Sequence, residues 1–99
     1  MEKFDVSKFR NVSVAFTTPF SADGSLDRKG VKALARYYLN KGVKSLYLCG
    51  STGEAFLLDN KERMEVVDAV MEEVGGEMVV IVHVGSVSTI HSAELARHA

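Results

Sequence analysis

Cysteine and proline each occur once in the 99 residues, the charges nearly cancel at a net −1, and no long apolar run is present. A lone Cys49 cannot close an internal disulfide, which excludes a disulfide-stapled scaffold and suits a reducing, cytoplasmic setting. With no basic excess, nothing favours nucleic acid as a partner. The longest apolar run, Met78 to Val82, is far too short to span a membrane, so no membrane partner is expected. The segment Met1-Glu2-Lys3-Phe4-Asp5 lacks the apolar core of a secretory signal. No linker, low-complexity tract or block of like charge divides the chain, and its length allows one domain at most.

What is present is a globular composition, 46% hydrophobic and 25% charged, with enough apolar mass for a core. The pattern resolves into three strand–helix units. Val12 to Thr18 is the first strand, ended by Pro19, which cannot donate to a ladder. Ala22-Asp23-Gly24-Ser25 is turn chemistry. Asp27 is placed to cap a helix whose Val31, Leu34, Ala35, Tyr38 and Leu39 form one apolar stripe, closed by Gly42. Lys44 to Cys49 is the second strand. Asp59 with Glu62 forms a capping box ahead of a helix whose buried face is read from Met64, Val67, Val70, Met71 and Val74, with Gly75-Gly76 at its end. Met78 to Val82 is the third strand, continuously apolar as in parallel strands covered on both faces. Ser88 or Thr89 caps a third helix from about Ile90. The strand ends recur at nearly equal intervals, which specifies parallel strands with right-handed crossovers and the α/β class.

Glu94 to Ala99 stops within a helical pattern with neither cap nor glycine, and three parallel strands leave two bare sheet edges. The expectation is a piece of a larger fold.

Gly50-Ser51-Thr52-Gly53-Glu54 stands between the second strand and its helix. Two glycines permit a sharp turn and close approach to a ligand, while two hydroxyls and several amides face the strand's carboxyl end. That is either an ordinary strand-to-helix turn or a cradle for a small carboxylate or phosphate. Ser51 and Thr52 are accordingly either turn-forming residues or anion ligands. Cys49 lies in a buried strand, where packing is the expected role over a catalytic thiol. Glu54, near a helix start, reads as a stabilising charge in preference to a general base. His83 ends an apolar strand; the default is a satisfied wall residue, with substrate contact as the alternative. A metal site is not expected there, since no second ligand is evenly spaced with it. His91 and His98 share a helix face that is read as solvated. Thr17 and Thr18 end the first strand beside the presumed pocket, one as a substrate contact and the other toward the helices. Tyr37, Tyr38 and Phe56 read as core or interface.

Ala15-Phe16-Thr17-Thr18-Pro19-Phe20, Leu46 to Phe56 and His83-Val84-Gly85 together resemble the dihydrodipicolinate synthase/N-acetylneuraminate lyase family of pyruvate-dependent class I aldolases. The resemblance runs from about Asn11 to Ala99 in order and spacing. Ser51 and His83 lean toward the sialic acid lyases; the synthase branch more often has threonine and glycine there. The family fold is a (β/α)8 barrel, of which this chain, over residues 1–99, would hold the first three strand–helix repeats. The activity implied is cleavage of N-acetylneuraminate to N-acetylmannosamine and pyruvate through a lysine Schiff base, with no metal or organic cofactor. The implied partners are pyruvate and sialic acid, within a homotetramer. By resemblance, Thr52 binds the pyruvate carboxylate through hydroxyl and amide. Ser51 supplies another amide and a proton relay to a tyrosine, while Gly50, Thr18 and His83 complete the substrate site. The family's lysine and tyrosine lie on later strands, and Lys41, Lys44 and Lys61 match neither, so this chain alone is expected to be inactive. The alternatives are synthase-type condensation of pyruvate with an aldehyde, or a non-catalytic product that binds small anions or pairs with barrel subunits.

Overall fold

The computed structural model describes residues 6–99, so Met1–Asp5, read above for a leader, lie outside the described residues. After a 3₁₀ turn at Ser7–Phe9 come β1 (Ser13–Ala15), α1 (Arg28–Asn40), β2 (Ser45–Leu48), a second 3₁₀ turn (Ala55–Leu57), α2 (Asn60–Val74), β3 (Val79–Val82) and α3 (Thr89–His98). The strands form one parallel sheet in the order β1-β2-β3. Ser13, Val14 and Ala15 register with Ser45, Leu46 and Tyr47; Ser45 to Leu48 register with Val79 to Val82.

Successive side chains of a strand point to opposite faces. Val14, Phe16, Leu46, Leu48, Val80 and Val82 accordingly share the face on which α1 and α2 pack, meeting Val31 and Ala35 of α1 and Val66, Val70 and Val74 of α2. Each fully buried side chain of this kind contributes roughly 1.5–3 kcal/mol. The opposite face carries Ser13, Ala15, Tyr47, Val79 and Ile81, with the Ser13 and Ser45 hydroxyls 2.7 Å apart.

Local chemistry sets the element boundaries. The Asp27 side chain accepts from the Gly30 amide and starts α1. Gly42, at φ 84°, lets its own amide reach the Leu39 carbonyl and the Val43 amide reach Tyr38, a Schellman closure. At α2 the Asp59 side chain accepts from the Glu62 amide while the Glu62 carboxylate accepts from the Asp59 amide, the expected capping box.

Four expectations change. β1 is shorter than Val12–Thr18: Val12 is 86% exposed, and beyond Ala15 only the Phe16 amide continues the ladder, onto the Tyr47 carbonyl. The buried face of α2 is turned toward Arg63, Val66, Val67, Val70 and Val74, leaving Met71 at the exposed rim of the arc that packs on the sheet. β3 is half-buried along its length rather than covered on both faces, because it lies at the sheet edge with helices on one side. Ser88 takes the N-cap position of α3, but its hydroxyl makes no capping bond.

Candidate functional site at the carboxyl edge of the sheet

Parallel pairing brings the segments after β1, β2 and β3 to one edge. The Gly50–Gly53 loop leaves β2 there, and the backbone solves the turn differently from the expectation. Neither Gly50 nor Gly53 has positive φ; the left-handed residues are Cys49, at φ 58°, and Glu54, at φ 59°. The glycines serve close approach. A Cβ on Gly50 would stand 2.7 Å from Tyr47 Cε1, and one on Gly53 would stand 3.0 Å from the Phe16 carbonyl oxygen. A left-handed residue other than glycine costs on the order of 1–3 kcal/mol and survives where its surroundings over-determine it.

Those surroundings are visible. The Ala55 amide donates to the Gly50 carbonyl at 3.2 Å, and the Glu54 amide donates to the Ser51 carbonyl at 3.0 Å. The buried Thr18 hydroxyl donates to the Gly53 carbonyl at 2.7 Å. The loop is thus closed on itself and fastened to the segment after β1. Its crest remains open: Ser51 and Thr52 are exposed, and neither hydroxyl nor amide has a hydrogen-bond partner among the described residues. Two adjacent amides and two hydroxyls held this way can accept a carboxylate through charge-assisted hydrogen bonds, without an arginine.

Thr17 and Thr18 are placed differently from each other, and the Thr18 hydroxyl is already engaged. Strand alternation puts Thr18 on the core side with Val14 and Phe16, where it is 7% exposed and committed to the loop, while Thr17 is exposed. Thr18 therefore fastens the loop through Gly53. Gly50 is buried under the loop against the Tyr47 ring.

His83 follows β3, and its amide donates to the Leu48 carbonyl at 3.0 Å. Its Nδ1 lies 2.8 Å from the Cys49 carbonyl oxygen, an acceptor only, and 3.5 Å from Arg63 Nη2, a donor only; the much shorter contact to the carbonyl assigns the proton to Nδ1. The ring packs near Tyr47, 6.1 Å between centroids, and against Gly85, where a Cβ would stand 2.6 Å from Nε2. Cys49 sits one residue past β2 rather than inside it. It is buried, and burial pushes its thiol pKa up while the neighbouring Arg63 guanidinium pulls the other way. Glu54 is exposed and pairs with no described residue.

Of the remaining candidates, His91 is exposed, whereas His98 Nε2 lies 3.0 Å from Asp68 Oδ1 and links α3 to α2. Tyr38 stacks edge-on with Phe16 in the core, while Tyr37 and Phe56 are exposed. Among the described residues no three His, Cys, Asp or Glu side chains gather as a metal site.

Arg63 is a further residue of this edge, one not expected from the sequence. It is 3% exposed, on the buried face of α2, and its fork reaches the carboxyl end of β3. Nη1 donates to the Gly85 carbonyl and Nη2 to the His83 carbonyl, both at 2.8 Å. A signal was available, because Arg63 falls in the same helical stripe as Val66, Val67, Val70 and Val74, where a charge is out of place.

The Dihydrodipicolinate synthetase family model matches residues 8–99. N-acetylneuraminate lyase of Enterobacter sp. (strain 638) is 40% identical over 92 residues, covering 93% of this chain and 31% of the relative. The chain therefore spans about a third of the length of the curated relatives it matches. Among solved structures, N-acetylneuraminate lyase from Mycoplasma synoviae superposes with a TM-score of 0.92 at 35% identity, over 96% of this chain and 33% of that one. A Ruminococcus gnavus sialic acid aldolase, solved as a catalytic lysine mutant, gives a TM-score of 0.92 at 36% identity, over 95% and 31%. The parallel strand–helix units are those of the first repeats of a (β/α)8 barrel.

Proposed function

Because the chain belongs to the dihydrodipicolinate synthetase family, we propose that it forms the amino-terminal third of a pyruvate-dependent class I aldolase that cleaves N-acetylneuraminate to N-acetylmannosamine and pyruvate. The carrying observation is the Ser51–Thr52 crest, whose hydroxyls and amides are unpartnered among the described residues, on a loop pinned at Gly50, Ser51 and Gly53. In this reading the crest receives the pyruvate carboxylate. Thr52 donates from hydroxyl and amide, and Ser51 donates its amide and passes a proton through its hydroxyl. Thr18 keeps the loop at the right height. A lysine supplied from beyond these residues forms the imine, as the naming of a catalytic lysine in the Ruminococcus relative supports. His83 forms part of the pocket wall, with its Nε2 lone pair available to a sugar hydroxyl.

Borohydride trapping with pyruvate, read by intact mass, tests the proposal on the 99-residue chain and on a version extended to full barrel length. The extended protein should gain a pyruvate adduct and the short chain should not. Thr52→Ala in the extended protein removes a hydrogen bond to a charged group, worth roughly 1.5–3 kcal/mol. Half-saturating pyruvate should then rise about ten- to hundredfold. No adduct on the extended protein would sink the aldolase reading. An adduct without synthesis of N-acetylneuraminate from N-acetylmannosamine would move the assignment to another branch of the family.

A further inference from the structure

We infer that Arg63 is a positioning residue for the carboxylate cradle: its guanidinium fixes the carboxyl end of β3 and, through His83, holds the strained turn from which the Gly50–Gly53 loop departs. The functional half of this inference rests on the reading proposed above; the structural half does not.

Stability alone does not account for Arg63. The guanidinium is buried, it forms no ion pair among the described residues, and its Nε has no partner there. A buried cation with no counter-charge and an orphaned donor is unfavourable, and an apolar side chain in the same stripe would be cheaper to bury. What the arginine supplies is geometry. Carbonyls past the end of a parallel strand have left the ladder, and a planar fork can grip two of them at once where a lysine ammonium acts as a point charge. The fork takes the His83 and Gly85 carbonyls, on either side of Val84 in the segment that follows β3.

The grip passes to the cradle in two steps. His83 is tied to the β2 end twice, by its amide to Leu48 and by Nδ1–H to the Cys49 carbonyl at 2.8 Å. Cys49 is the left-handed residue that aims this carbonyl at His83 and starts the loop. Its sulfur also lies 4.0 Å from the Arg63 carbonyl, so α2 contacts the turn with main chain as well as side chain. Arg63, His83 and Cys49 therefore supply the over-determination that a strained residue needs at the root of the site.

The test uses Arg63→Met and Arg63→Lys in the full-length protein, with three readouts. Native-state alkylation of Cys49 by iodoacetamide, followed by peptide mass, reports opening of the turn; it should quicken at least tenfold in Arg63→Met and less in Arg63→Lys. Half-saturating pyruvate in borohydride trapping should rise at least tenfold in Arg63→Met, with partial rescue by Lys and an unchanged limiting yield. A filler of the core would alter stability without this split. In the unmodified protein, ¹⁵N NMR of His83 should show the proton on Nδ1. Wild-type alkylation and wild-type pyruvate dependence in a folded Arg63→Met protein would overturn the inference. So would an Nε2–H tautomer of His83, a measurement that stands even if neither variant folds. If the unmodified protein traps no pyruvate, the aldolase reading fails while alkylation and tautomer still decide the structural half.

Discussion

An added Cβ at Gly53 would stand 3.0 Å from the Phe16 carbonyl, yet one residue later Glu54 already carries a side chain at φ 59°. These neighbours answer opposite constraints, so their substitutions have opposite signs. Gly53→Ala meets backbone on two sides, the Phe16 carbonyl and the Cys49 main chain, and backbone cannot rotate away. Overpacking of this kind costs about 1–3 kcal/mol, and it should loosen the Thr18 bond to the same residue. Glu54→Gly removes a left-handed penalty from an exposed side chain and should be neutral or stabilising by up to about 1 kcal/mol. Urea unfolding of the two variants in the full-length protein separates these effects; destabilisation by both would mean that Glu54 makes a contact the strain compensates. The residue types of the loop were legible in the sequence, as were Ser51 and Thr52 at its crest. Which residues turn left-handed was not, because cysteine and glutamate have no propensity for it and tertiary contacts impose it. The Thr18 bond to Gly53 and the burial of Arg63 went unforeseen for a related reason: a side chain's task there depends on which face of its element it occupies.

Elements were the most legible scale, since each boundary is written in a few adjacent residues. Asp27, Gly42 and the Asp59–Glu62 box start or stop helices as their chemistry dictates. The strands were less so: Met78 to Val82 has the sequence of a doubly covered strand, and only the neighbours it meets decide its burial. The second link between α1 and α2, beyond their shared core, was invisible, because its groups are charges on the outer rims. Arg28 and Lys32 of α1 both reach the Glu72 carboxylate at 2.8 Å, and Arg36 reaches Glu73 at 3.0 Å. Hydrogen bonds from Lys32 and then Arg28 hold the Glu72 carboxyl below its ordinary value of 4.5. A depressed carboxyl contributes stability that is present above the ordinary value and is lost as pH falls through the folded one. Glu72→Gln should therefore be less stable than the unmodified protein near neutrality, and the two should converge below about pH 4. Half a molar salt should narrow the neutral-pH gap, since the pair is exposed. A gap that persists at pH 3 would assign the effect to packing instead of charge.

At the scale of the whole molecule the sheet is a slab with one finished side. The described structure measures 42 × 34 × 20 Å, and its radius of gyration of 13.6 Å exceeds the ~12.6 Å of a compact chain of this length. Among the described residues, helices cover the face of Leu46 and Leu48, the face of Ala15, Tyr47, Val79 and Ile81 has no layer over it, and β1 and β3 are both edges. Parallel strands rarely stand with a face and two edges uncovered. The α/β class and the parallel order were legible because three units repeat the same grammar, but a repeat unit does not state how many copies close the fold. In the relatives, the matched segment is about a third of a longer chain. The 99 residues expressed alone should accordingly self-associate through the open face and the β3 edge, and unfold without a sharp transition. Sedimentation velocity over a tenfold range of concentration would show the weight-average mass rising, and the full-barrel version should not repeat that rise. A monodisperse monomer with a cooperative transition would instead mean that the α1–α2 layer alone holds three strands. The Ser51–Thr52 crest would then be preformed before any later strand arrives, and anion binding could be measured on the short chain itself.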